Sequence, residues 1–183
     1  MLKILHGGKA AAVMAGVLAA KGDYILFTDF DQSTPLHQVE KFLAAHKSGA
    51  DVIIGVRTQT QKDTLVRQVR SWGFVTLVQI VAIPGIKDSQ CGFKSFTRVA
   101  AQKIFRNFKV CLPKKTVTGG YMGAFDVEAL FLARKFNYKI VQVEVSWIKY
   151  PGDRLNIWKE PVQMAIDTLR IRLYDILGKY DQI

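Results

Sequence analysis

A chain of 183 residues, 49% hydrophobic and 22% charged, has the size of one domain and enough apolar content to enclose a core. Its 26 Lys and Arg against 15 Asp and Glu give a formal charge of +11, which points to an anionic partner: nucleic acid, a phosphorylated substrate or an acidic lipid surface. The two cysteines, Cys91 and Cys111, have no Cys-x-x-Cys spacing, which argues against a disulfide framework or zinc site and fits a reducing compartment. The opening MLKILHGGKAAAVM lacks the apolar core and cleavage pattern of a secretory signal. The longest apolar stretch, 72–85, carries Gln79, ends in Pro84-Gly85 and falls short of the ~20 residues of a spanning helix.

Along the chain, the Ala-rich run 9–21 predicts a helix closed by Gly22, and Tyr24 to Thr28 (YILFT) predicts a strand buried on both faces. Pro35 opens a second predicted helix to Lys47, with Ser33 or Thr34 as its cap, followed by a strand over 51–55. Helical spacing runs from Asp63 to Ile83. A loop over 86–92 then leads to a short strand at 93–96 and a helix over 98–107. Residues 125–136 read as a helix, 138–147 alternate as a strand, and 157–178 form an amphipathic helix carrying Trp158, Val162, Ala165, Ile166, Leu169, Leu173, Ile176 and Leu177 largely on one face. This alternation specifies an α/β architecture, expected as one domain over 1–183. Doubly wound sheets usually begin with a strand and its crest loop, whereas this chain opens on a helix. One or two initial units, roughly 60 residues, are therefore expected to be missing from it.

Asp29-Phe30-Asp31 follows the buried strand at its carboxyl end, where open α/β sheets place ligands. Two carboxylates at i and i+2 on an extended turn can share one hard divalent cation, Mg²⁺ or Mn²⁺, that bridges the phosphates of a nucleotide. They can also be two solvated turn residues. A third reading makes Asp29 the phosphorylated nucleophile and Asp31 the acid/base of a haloacid-dehalogenase-like phosphohydrolase. That reading needs a later Gly-Asp-x-x-x-Asp, which the chain lacks.

Gly8-Lys9 opening an Ala-rich helix, then GDYILFTDFDQSTP, ADVIIGVR, DSQCGFKSF, FDVEALFLARKF, and VSW with Pro151-Gly152 occur in the order that resembles family 2 glycosyltransferases of the GT-A fold. The subgroup they are most similar to comprises the dolichyl-phosphate β-glucosyltransferases and mannose synthases. The resemblance implies an incomplete GT-A mixed sheet flanked by helices, and inverting transfer of a hexose from a nucleotide sugar (UDP-glucose ahead of GDP-mannose) to a polyprenyl phosphate. It makes Asp29 and Asp31 the metal ligands and places Lys9 and Arg57 with them at the nucleotide sugar. Asp88 becomes a base or electrostatic partner at the reacting phosphate, as against a turn residue bonded to backbone. Asp126 and Glu128 become catalytic-motif acids that, two apart on a helix, point in different directions. Lys94 and Arg154 become cations for the acceptor phosphate. The usual glycine after the lysine is Ala10 here. A chain that keeps only the scaffold, without activity, is the alternative from a different class.

Seven Lys and Arg lie between Lys94 and Lys115 without an Asp or Glu. They suit peripheral contact with an anionic membrane at its cytoplasmic face, each residue contributing about 1 kcal/mol near such a surface. A nucleic-acid footprint would explain the charge but not the acidic pair or the ordered motifs, so no nucleic-acid partner is expected. The last helix is expected to complete the core, with a lipid surface as its other possible seat.

Overall fold

The computed structural model describes residues 2–4, 6–58, 78–112, 124–148 and 159–181. Helix α1 (Gly8–Ala19) leads to strand β1 (Tyr24–Phe27). A 3₁₀ turn (Leu36–Gln38) precedes α2 (Val39–Lys47) and β2 (Val52–Thr58). After the turn of helix at 78–81 come β3 (Lys94–Thr97), α3 (Arg98–Arg106), α4 (Phe125–Lys135), β4 (Ile140–Ser146) and α5 (Lys159–Ile176).

The four strands make an open mixed sheet in the order β1-β3-β2-β4, with β3 antiparallel to both of its neighbours and β2 parallel to β4. The carboxyl ends of β1, β2 and β4 therefore share one rim, and the loop entering β3 arrives at that same rim. Strand alternation splits the core between the two faces. Val52 and Ile54 join Ile25 and Phe96 against α1, α3 and α4, while Ile53 joins Phe93, Val145 and Phe42 of α2 on the other side. Phe42 and Phe93 meet edge to face at 5.0 Å and 89°, a geometry that adds about 0.5–1.5 kcal/mol to simple burial.

Several predicted boundaries shift for physical reasons. Pro35 is extended (ψ 138°) and the chain takes a 3₁₀ turn before α2. Neither Ser33 nor Thr34 caps that helix, and the backbone N–H of Ser33 bonds the Asp31 carboxylate instead. Strand β2 continues to Thr58 because seven residues pair with β4, so Arg57 lies within the strand. Thr97 caps α3 as its hydroxyl accepts from the Ala100 N–H. Most of the helix expected over 63–83, the stretch 116–120 and the Pro151-Gly152 motif lie outside the described residues.

The last helix departs most from expectation. Its inward side chains include Met164, Asp167, Thr168 and Ile171, whereas Val162, Ile166, Leu169, Leu173 and Ile176 face outward. The apolar stripe read as core is thus the exposed face. Among the described residues no helix is long and apolar enough to cross a membrane.

Candidate active site

Asp29, two residues past β1, carries a half-exposed carboxylate at the rim. Its Oδ1 lies 2.5 Å from Nζ of Lys9 at the start of α1, and that ammonium sits over the Phe125 ring at 5.8 Å. Behind it, the carboxylate occupies the space that a side chain at Gly92 would need. The turn is closed by Gln32, whose N–H bonds the Asp29 carbonyl and whose φ of 51° is left-handed, an uncommon conformation for a residue with a side chain. Asp31 Oδ1 accepts from the Ser33 N–H at 3.0 Å, and Phe30 between the two acids is wholly exposed.

Opposite stands a second charged pair. Arg57 donates to Asp88 through Nε (2.7 Å) and one terminal nitrogen (3.0 Å), and its backbone N–H reaches the same carboxylate at 3.3 Å. The guanidinium lies over Trp147, at 5.4 Å from the ring. Burial opposes charge on Asp88, yet the hydrogen bonds and positive charge of Arg57 outweigh it and hold the carboxyl below its usual range. Arg57 is likewise penalised by burial and raised above its usual value by Asp88. Both stay ionised, which suits a charge-balancing pair and not a proton carrier. Burial pushes the Cys91 thiol up, as fits an inert core residue.

Beneath the rim, Lys94 is fully buried. Its ammonium donates to Asp126 and to the Cys91 carbonyl, both at 2.5 Å, and lies 5.5 Å from the Phe27 ring centre. Expected at an acceptor phosphate, Lys94 instead satisfies two protein oxygens where solvent does not reach, because strand β3 carries it between Phe27 and Ile54. Glu128, also fully buried, accepts from the backbone N–H groups of Lys109, Val110 and Cys111 and from the Tyr180 hydroxyl. The two acids of α4 therefore face different places, Asp126 toward the rim loop and Glu128 toward the 109–111 segment. Arg154 lies outside the described residues. Among the described residues of the basic run, Lys94 is buried, Arg98 is paired with Asp23, and Lys103 covers the Phe136 ring.

The donor set bears on a metal. Asp29 and Asp31 offer carboxylate oxygens, and no group of three or more His, Cys, Asp or Glu placed to hold an ion exists among the described residues. Carboxylate oxygens are hard donors of the kind that Mg²⁺ or Mn²⁺ takes, and two of them do not make a closed zinc site. Sequence reasoning singled out Asp29, Asp31, Lys9, Arg57 and Asp88, and the fold gathers them at this rim. It missed Gly92 and Trp147. The signal for Gly92 was a glycine at the entry to a buried strand.

Comparison with known proteins bears on the fold and the family. A solved structure of glucosyl-3-phosphoglycerate synthase from Mycobacterium tuberculosis, in complex with uridine-diphosphate, shares the fold with a TM-score of 0.58 over 92% of this chain and 56% of its own, at 14% identity. Dolichyl-phosphate beta-glucosyltransferase of Dictyostelium discoideum is 35% identical, covering 93% of this chain and 52% of that protein. The Saccharomyces cerevisiae and Homo sapiens proteins of the same name are 35% and 32% identical, covering 94% and 97% of this chain and 54% and 55% of their own lengths. The chain thus spans about half the length of these curated relatives. The family model "Glycosyl transferase family 2" matches residues 4–131, more than half of the chain, which leaves the phosphohydrolase reading of Asp29 unsupported: the chain belongs to glycosyl transferase family 2.

Proposed function

We propose that this chain forms the part of a hexosyltransferase in which a sugar diphosphate and a lipid phosphate meet, moving glucose from UDP-glucose to a dolichyl-type polyprenyl phosphate with inversion. The relatives named dolichyl-phosphate beta-glucosyltransferase favour glucose over mannose and dolichyl phosphate as acceptor. The observation that carries the reading is the lodging of Asp29 against Gly92. It brings the acid expected at the donor into contact with the loop that bears Asp88, expected at the acceptor.

In this reading Asp29 and Asp31 hold Mg²⁺ or Mn²⁺, which when bound supplies positive charge for a departing diphosphate. Lys9 adds a cation on the same side, at the start of a helix where free N–H groups favour anions. Arg57 is oriented by Asp88 and Trp147. Nε and one terminal nitrogen are engaged by Asp88, so the other is placed to receive a phosphate oxygen, and Arg154 serves as a second cation. An acceptor phosphate oxygen bonds to the anomeric carbon as the bond to the nucleoside diphosphate breaks. The acceptor is already an anion, so positioning and charge balance do most of the work. Lys94 and Asp126 support the loop from below.

The outer face of α5 supports contact with an anionic membrane. Its apolar positions 162, 166, 169, 173 and 176 follow a 4-3 spacing, and exposed Arg170 and Arg172, ion-paired to the less exposed Asp167 and Asp175, flank them. Transfer of labelled glucose to dolichyl phosphate in anionic vesicles tests both claims. Asp31→Ala is expected to lower incorporation about 100-fold. Leu169→Glu/Leu173→Glu should abolish it on vesicles while sparing a short, water-soluble acceptor. Equal incorporation by wild type and Asp31→Ala removes the metal assignment, and none by wild type favours a scaffold without activity.

A further inference from the structure

Gly92 does not owe its glycine to backbone conformation. Among the described residues the glycines with positive φ are Gly8, Gly49, Gly85 and Gly178, and Gly92 is not one of them. It owes it to space. A β-carbon built at Gly92 would coincide with the carboxylate of Asp29, all three of whose terminal atoms crowd the position. That carboxylate therefore rests on bare backbone, with Lys9 Nζ at 2.5 Å from Oδ1. The seat is itself held from three sides. The Lys94 ammonium bonds the Cys91 carbonyl, and Asp88 is locked onto Arg57. Behind Cys91, a β-carbon on Gly55 would stand 2.9 Å from the Cys91 sulfur, so the loop packs directly on the backbone of β2. A carboxylate free to rotate would be spread over several rotamers, and one pinned in a preformed slot loses less on binding a cation.

We infer that Gly92 is a positioning residue that fixes the Asp29 carboxylate for cation binding, so that the loop carrying Asp88 sets the geometry of the donor-side metal. This rests on the metal reading above. Gly92→Ala is the direct probe. Its backbone conformation suits alanine, and the displaced atoms are the end of a side chain, so the fold should survive with the carboxylate turned away.

Binding of Mn²⁺ in the presence of UDP, followed by the electron paramagnetic resonance signal of free Mn²⁺, reads the effect without relying on turnover. Gly92→Ala is expected to bind Mn²⁺ about 10-fold more weakly or worse, with a melting midpoint near that of wild type. Asp29→Glu, which leaves Gly92 intact but moves the carboxylate outward by one methylene, should weaken binding similarly and covers the case in which Gly92→Ala fails to fold. Excess Mn²⁺ should restore transfer by Gly92→Ala, a response that general loss of structure does not give. Wild-type affinity in a folded Gly92→Ala, or in Asp29→Glu, overturns the seat. A wild-type protein that binds no Mn²⁺ overturns the metal reading and the seat together.

Discussion

Asp29 on the rim and Glu128 in the core are both acids held by several partners, and they show two uses of the same side chain. Glu128 accepts four hydrogen bonds, three from consecutive backbone N–H groups and one from Tyr180, and has no exposed surface. Asp29 has one cation and a bare-backbone seat, and its side chain keeps 35% of its surface open. The buried acid is saturated and serves the fold, whereas the rim acid is oriented and stays partly open to solvent. The same contrast separates Lys94–Asp126, enclosed on all sides, from Arg57–Asp88, which keeps part of the guanidinium at the surface.

The sharpest way to break this contrast is to remove Glu128. Glu128→Ala strands three backbone donors and a hydroxyl, each costing about 1–3 kcal/mol when buried and unpaired, so a loss of at least about 3 kcal/mol in urea unfolding is expected. A loss within about 0.5 kcal/mol, typical of surface positions, would deny it any role as a hub.

Next comes the buried ion pair. Lys94→Met leaves an uncompensated carboxylate and should cost about 3–5 kcal/mol, whereas Lys94→Met/Asp126→Leu should regain most of that stability. A double variant as unstable as the single one would show that the charges act separately.

The smallest effect concerns His46. Its ring bonds the Ala50 carbonyl and the Ser95 hydroxyl, both at 2.8 Å, and stacks on Tyr24, an arrangement that suits the neutral form. Burial lowers its pKa, partly offset by the Ala50 bond and the Asp51 charge. The stability this provides is complete above the unfolded value of about 6.5 and is lost as pH falls from there through the folded value. Unfolding free energies measured between pH 7.5 and 5 should decline more steeply for wild type than for His46→Gln, and parallel slopes would assign the acid sensitivity elsewhere.

The parts of the fold legible in the sequence were those with a strong local period. The run YILFT marked a buried strand and placed Asp29 and Asp31 at its end, and VIIG did the same ahead of Arg57. Partnerships between distant residues were not legible. Arg57 and Asp88 are 31 positions apart, and only the insertion of β3 between β1 and β2 brings them together. Lys94 read as a ligand cation because sequence shows charge and not burial. Helical periodicity in α5 located the apolar stripe correctly but could not say which side the core would take. Met164, Thr168 and Ile171 pack inward, and the more regular stripe faces out.

Because β3 is hydrogen-bonded on both edges, the rim loop is anchored at its exit by two ladders, and at its entrance by Lys87 N–H on the Gln142 side chain at 2.7 Å. A loop tied to the sheet at both ends carries Asp88 and Gly92 with the sheet, so a strain applied to β3 is passed to Arg57 and Asp29 together.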